Sequence, residues 1–125
     1  MKKILSIGLL LSITSVAMSQ VIGTVEKKTK EFYIKSNQNK EYRVFGYAYP
    51  NVASQKLICF SSYAGDVTAN ANGCPLGAYY DTGRMKITDK ITYIATLGNF
   101  GKMLFTSSSG KKAIFYLPKS SFVIK

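Results

Sequence analysis

The chain has 125 residues and carries 17 Lys and Arg against 6 Asp and Glu, for a formal net charge of +11, with no histidine at any position. That absence rules out a Ser-His-Asp triad, a Cys-His nucleophile and a histidine-ligated zinc. Two cysteines are too few for a structural zinc site, and the length allows one domain rather than two.

The opening stretch has the three parts of a secretory signal peptide. Lys2 and Lys3 start it, and an apolar run of 13 residues follows from Ile4 to Val16. Ala17 and Ser19 are the small residues of a cleavage site before Gln20. The run is too short for a membrane helix, which needs about 20 apolar residues. The expectation is therefore a signal peptide over 1–19 and a single β-rich domain over 20–125. The mature chain would be periplasmic or secreted, with no transmembrane segment. Loss of Lys2 and Lys3 lowers the charge from +11 only to +9. A basic surface favours solubility and anionic neighbours.

After the signal, short alternating segments follow one another. Val21–Val25 can open a first strand, weakened by Gly23. Glu31–Lys35 and Glu41–Tyr49 are rich in aromatic and β-branched residues. The polar connection Ser36–Lys40 between them suits a hairpin. Along the second of these strands, Tyr42 and Val44 share one face, and Arg43, Phe45, Tyr47 and Tyr49 share the other. Lys56–Phe60 is a nearly continuous apolar run that fits a buried strand. From Ala64 to Gly77 the chain is small and polar, with turn signals at Asn72-Gly73 and Pro75. Ala78–Tyr80 can form a brief strand, and a pattern of alternating residues resumes at Arg84. Ile91–Leu97 alternates next, and Gly98–Gly101 reads as a turn. Met103–Thr106 and Ala113–Leu117 flank the hairpin loop Ser107–Lys111, and Ser121–Ile124 makes a last strand. No mature window repeats every 3.6 residues. The expected fold is all-β, a small barrel or sandwich of about 6–8 short, mostly antiparallel strands.

Three constellations are candidates for function. In an exported chain, Cys59 and Cys74 are expected to form a disulfide. It would close a loop of about 15 residues, worth about 3 kcal/mol in the chain-entropy view. Asp66, Thr68, Asn70 and Asn72 put oxygens at alternate positions, as in a calcium loop. Gly73 and Gly77 depart from that pattern, and only one ligand is charged, so it stands as a weak candidate beside an ordinary polar loop. The third is a basic aromatic surface made of Tyr33, Lys35, Tyr42, Arg43, Tyr47 and Tyr49. Aromatic platforms with basic flanks bind sugars or single-stranded nucleic acid, and export puts glycans ahead of nucleic acid. The competing reading is that these tyrosines pack the core while the lysines solubilise.

No catalytic residue and no cofactor is expected. The leading expectation is a non-catalytic binding module for an anionic envelope component, a glycan or another exported protein. Its rivals are an assembly component joined through strand edges and, behind both, a histidine-free enzyme using Asp66 or Asp81.

Overall fold

A computed structural model describes residues 21–34, 43–61, 73–80 and 89–125. Among these residues the chain forms nine strands and one short 3-10 turn. The strands are β1 (Gly23–Val25), β2 (Phe32–Ile34), β3 (Arg43–Tyr47), β4 (Lys56–Ser61), β5 (Ala78–Tyr80), β6 (Lys90–Leu97), β7 (Phe100–Thr106), β8 (Lys112–Pro118) and β9 (Phe122–Ile124). The 3-10 turn spans Lys119–Ser121.

The strands divide into two sheets. The smaller has the order β2-β1-β9, and the larger β5-β4-β3-β8-β7-β6. Pairing is mostly antiparallel. The exceptions are β1 with β9 and β4 with β5, both parallel. Parallel neighbours cannot be joined by a tight hairpin and need a longer connection. Among the described residues, one isolated backbone bridge, between Glu31 and Thr92, links the two sheets. The Tyr93 amide supports it by donating to the Lys30 carbonyl at 2.8 Å, and Lys90 Nζ lies 3.8 Å from the Glu31 carboxylate. Neither sheet closes on itself, so the closed-barrel alternative is set aside in favour of two packed sheets.

Among the described residues, the hairpin expected between Glu31–Lys35 and Glu41–Tyr49 is not seen, and its connection Ser36–Lys40 lies outside them. β2 pairs with β1, and β3 pairs with β4 and β8. The turn that reverses the chain before β2 comes earlier, at Glu26–Lys30. There Lys30 takes a positive φ of 67°, its amide donates to the Glu26 carbonyl at 2.7 Å, and the Glu26 amide donates to the Glu31 carbonyl at 2.8 Å. The turn expected at Gly98–Gly101 is tighter than its sequence suggested, because Leu97 pairs directly with Phe100. Gly98, at φ 61°, supplies the positive φ that the first corner of a type II′ hairpin requires. The alternation that resumes at Arg84 lies outside the described residues as far as residue 88.

A two-residue period places the core. On β7, Gly101, Met103 and Phe105 are buried, and Phe100, Lys102, Leu104 and Thr106 are half-buried on the other face. β8 buries Phe115 and Leu117, and β3 buries Val44 and Gly46. These residues meet Ile22, Val25, Phe32, Ile34 and Phe122 from the smaller sheet and its flank in one cluster. Phe60 sits between the layers. Its ring is 5.2 Å from that of Phe32 in the smaller sheet and 6.1 Å from that of Phe115 in the larger.

Gly46 of β3 is buried directly against the core. A Cβ there would meet the Phe115 ring and lie 2.6 Å from Ile58 Cγ2. Both neighbours are fully buried, so neither can swing away. Overpacking of this kind costs about 1–3 kcal/mol. Gly46→Ala is therefore expected to lower unfolding stability by that amount in urea titrations followed by circular dichroism. A midpoint unchanged from wild type would contradict the packing described.

Candidate functional site

β3 presents two chemically different faces. Val44 and Gly46 point into the core, and Arg43, Phe45 and Tyr47 occupy the outer face. A groove of about 250 Å³ lies beside β3, lined by Arg43, Val44, Phe45 and Tyr47 from β3 and by Pro118, Ser120 and Ser121 from the end of β8 and the 3-10 turn. The antiparallel pairing of β3 with β8 brings these two stretches side by side.

The residues differ in exposure. Arg43 is exposed and Phe45 half-buried, whereas Tyr47 is only 9% exposed. The Tyr47 ring stands edge-on to Phe100 at 6.5 Å, and burial pushes its hydroxyl above the ordinary value. Lys56 contributes from the neighbouring strand. Its ammonium lies 4.2 Å from the centre of the Phe45 ring, a cation–π arrangement. An extra residue, Leu57, is accommodated in β4 at this point. Gly46 pairs with Ile58 while Tyr47 pairs with Lys56, which is the signature of a β-bulge. Ser121 closes the groove without leaving a buried polar group unpaired. Its hydroxyl donates to the Pro118 carbonyl at 2.6 Å, and its carbonyl accepts from the Ile22 amide at 2.7 Å.

Beyond β3 the chain turns at Tyr49–Ser54. The Ser54 hydroxyl donates to the Asn51 carbonyl at 2.7 Å and accepts from the Tyr49 amide at 3.2 Å. Asn51 Oδ1 accepts from the Ala53 amide at 2.7 Å. The backbone is thus tied down while the Tyr49 side chain, 68% exposed, projects into solvent.

Of the six residues expected to form the binding surface, Arg43 and Tyr47 line one groove, and Tyr49 follows them in the chain. Tyr33 is elsewhere, in β2 of the smaller sheet, with its hydroxyl bonded to the Glu31 carboxylate. Lys35 and Tyr42 lie outside the described residues. Phe45 was legible on the same face from the alternation of β3. Pro118, Ser120 and Ser121 were not, because only strand pairing brings them to the groove, nor was Lys56, which pairing places over the Phe45 ring. The arrangement offers an aromatic wall, two cations and hydroxyl donors. Such a set can stack on a sugar ring and pair with a carboxylate, sulfate or phosphate carried by it.

Cys59 and Cys74 are both buried and stand as thiols, so the expected bridge is not formed in this structure. Cys59 is on β4, and its amide donates to the Gly77 carbonyl at 3.1 Å. Cys74 opens the adjoining turn, where its carbonyl accepts from the Gly77 amide at 2.9 Å. The two residues therefore sit on neighbouring segments. Burial pushes the Cys74 thiol up, with Lys56 acting in the opposite direction. Asp66, Thr68, Asn70 and Asn72, the weak calcium candidate, lie outside the described residues, as does Asp81. Among the described residues, no three of the His, Cys, Asp or Glu type come together as metal ligands.

No protein-family model matches the chain, and no curated protein or solved structure matches it either.

Proposed function

We propose that the chain is an exported, non-catalytic binding module whose outer β3 face holds an acidic glycan or another anionic envelope component. The observation that carries this reading is the groove in which Arg43, Phe45 and Tyr47 share one strand face, with the Lys56 ammonium over the Phe45 ring. The composition points the same way. The chain is strongly basic and has no histidine. A binding surface of this kind draws on stacking for the sugar face and on charge for the acidic group.

Export follows from the layout of residues 1–19. In an oxidising compartment Cys59 and Cys74 would be joined, since the Cys74 turn runs alongside β4 through the Leu76 amide and the Leu57 carbonyl at 2.8 Å. The bridge would tie that turn to the core.

Two experiments test the proposal. On an array of acidic and neutral glycans, the mature protein is expected to bind acidic members, with binding that weakens as salt rises. Arg43→Gln with Tyr49→Ala, both at exposed positions, should reduce that binding about tenfold without shifting the unfolding midpoint. Binding left intact in this double variant would refute the site. Separately, mass analysis of the protein recovered from a bacterial envelope should show the loss of residues 1–19. It should also show two hydrogen masses fewer without reductant than with it. An intact N-terminus or two alkylatable thiols would overturn the export or bridge reading respectively.

A further inference from the structure

A second cleft lies at the far end of the core from the β3 groove and shares no residue with it. Its volume is about 410 Å³, within the range of sites that hold small molecules, about 300–1,000 Å³. The floor is apolar. Leu76 and Tyr79 pack against the core cluster, and Phe105 belongs to it. Ala113, paired with Phe105 across β7 and β8, leaves the space that a larger side chain would fill. The rim is polar and basic, with Ser107, Ser108, Lys111 and Lys112 contributed by the β7–β8 hairpin.

The polar groups of the floor are already committed. The Tyr79 hydroxyl donates to the Leu76 carbonyl at 3.0 Å, so the ring rather than the hydroxyl faces the space. Burial, with the Asp89 carboxylate adding to it, pushes this hydroxyl up to about 12. The stability associated with that shift is present below the ordinary tyrosine value of 10.0 and is lost as pH rises through about 12. Asp89 Oδ1 accepts the Ser108 amide at 3.0 Å and so pins the hairpin to the start of β6. The loop is also closed on itself. The Ser107 amide donates to the Lys111 carbonyl at 2.9 Å, and the Ser107 hydroxyl accepts the Lys111 amide at 3.1 Å. The rim is therefore held in place, and its two lysines outnumber the one carboxylate. Neither lysine has an ion-pair partner among the described residues.

We propose that this cleft is a binding site for a small amphipathic organic acid, with an aryl or short acyl body on the Leu76–Tyr79–Phe105–Ala113 floor and its carboxylate between Lys111 and Lys112. The apolar floor accounts for the body, and the net positive rim for the sign of the head group. This site is independent of the glycan-binding reading, because it lies on the core side of the sheet and uses other residues.

The test is nuclear magnetic resonance titration of the full mature domain with octanoate, octylammonium and octanol, each below its micelle concentration. Octanoate is expected to shift the amides of Leu76, Phe105 and Ala113 and to bind more tightly than octanol, with octylammonium weakest. Lys111→Gln with Lys112→Gln, at exposed positions, should weaken octanoate about fivefold, the effect of two exposed charge contacts, while leaving octanol unchanged. Ala113→Phe should abolish both. Arg43→Gln with Tyr49→Ala should change neither, which separates failure of this site from failure of the β3 groove. Octylammonium binding as tightly as octanoate would overturn the proposal. So would octanoate affinity unchanged in the double lysine variant, or shifts confined to the β3 face.

Discussion

The structure depends on Phe60. It is fully buried on β4 and its ring meets Phe32 from the smaller sheet, Phe115 from the middle of the larger one and Tyr79 from the edge strand β5. Other rings join the layers as well, with Tyr93 of β6 6.2 Å from Phe122 of β9, while the backbone link between the sheets among the described residues is the Glu31–Thr92 bridge. A short strand cannot be stable alone, and the three-residue strands β1, β2 and β9 gain their place by covering this aromatic centre. Tilted ring pairs at such distances add about 0.5–1.5 kcal/mol each beyond the area they bury.

Everything of functional interest follows from which side of the larger sheet faces Phe60. With Val44, Gly46, Met103, Phe105, Phe115 and Leu117 turned inward, the alternate residues of β3, β7 and β8 are turned out. That is why Arg43, Phe45 and Tyr47 form one surface and why Lys56 reaches the Phe45 ring. It is also why the end of the core, where Phe105 meets the small Ala113, opens into a cleft instead of being filled. The β3 groove and the cleft are thus consequences of one packing decision, on opposite sides of the same sheet.

Strand existence and facing were legible in the sequence wherever a clear alternation was present. Met103–Thr106 and Ala113–Leu117 flank a short serine- and glycine-containing loop, so their hairpin could be read directly, whereas Phe100 and Gly101 look like part of a turn and instead open β7. The face shared by Arg43, Phe45 and Tyr47 came from the same rule. Pairing over long separations was not legible. Nothing local in Gly23–Val25 announces a parallel partner at Phe122–Ile124, and nothing in Cys59–Ser61 announces Ala78–Tyr80. The error about β2 and β3 has the same origin. A polar connection of hairpin length was present, but Phe32 and Ile34 are buried in β2 beside β1, with the Phe32 ring against Phe60. Tyr33 left the expected surface with them. Ser120 joined the groove, and Lys56 reached the Phe45 ring, only through register, including the bulge at Leu57 that no short window reveals.

The central claim is that β3, β7 and β8 turn one face to the Phe60 core and leave the other accessible. Hydroxyl-radical footprinting of the folded domain, read residue by residue by mass spectrometry, tests it most directly. Strong labelling of Tyr49, intermediate labelling of Phe45 and Tyr116, and protection of Phe32, Phe60 and Phe115 to the level of the slowest sites are expected. Protection of Phe45 and Tyr116 equal to that of Phe60, or labelling of Phe60 comparable to Tyr49, would contradict it.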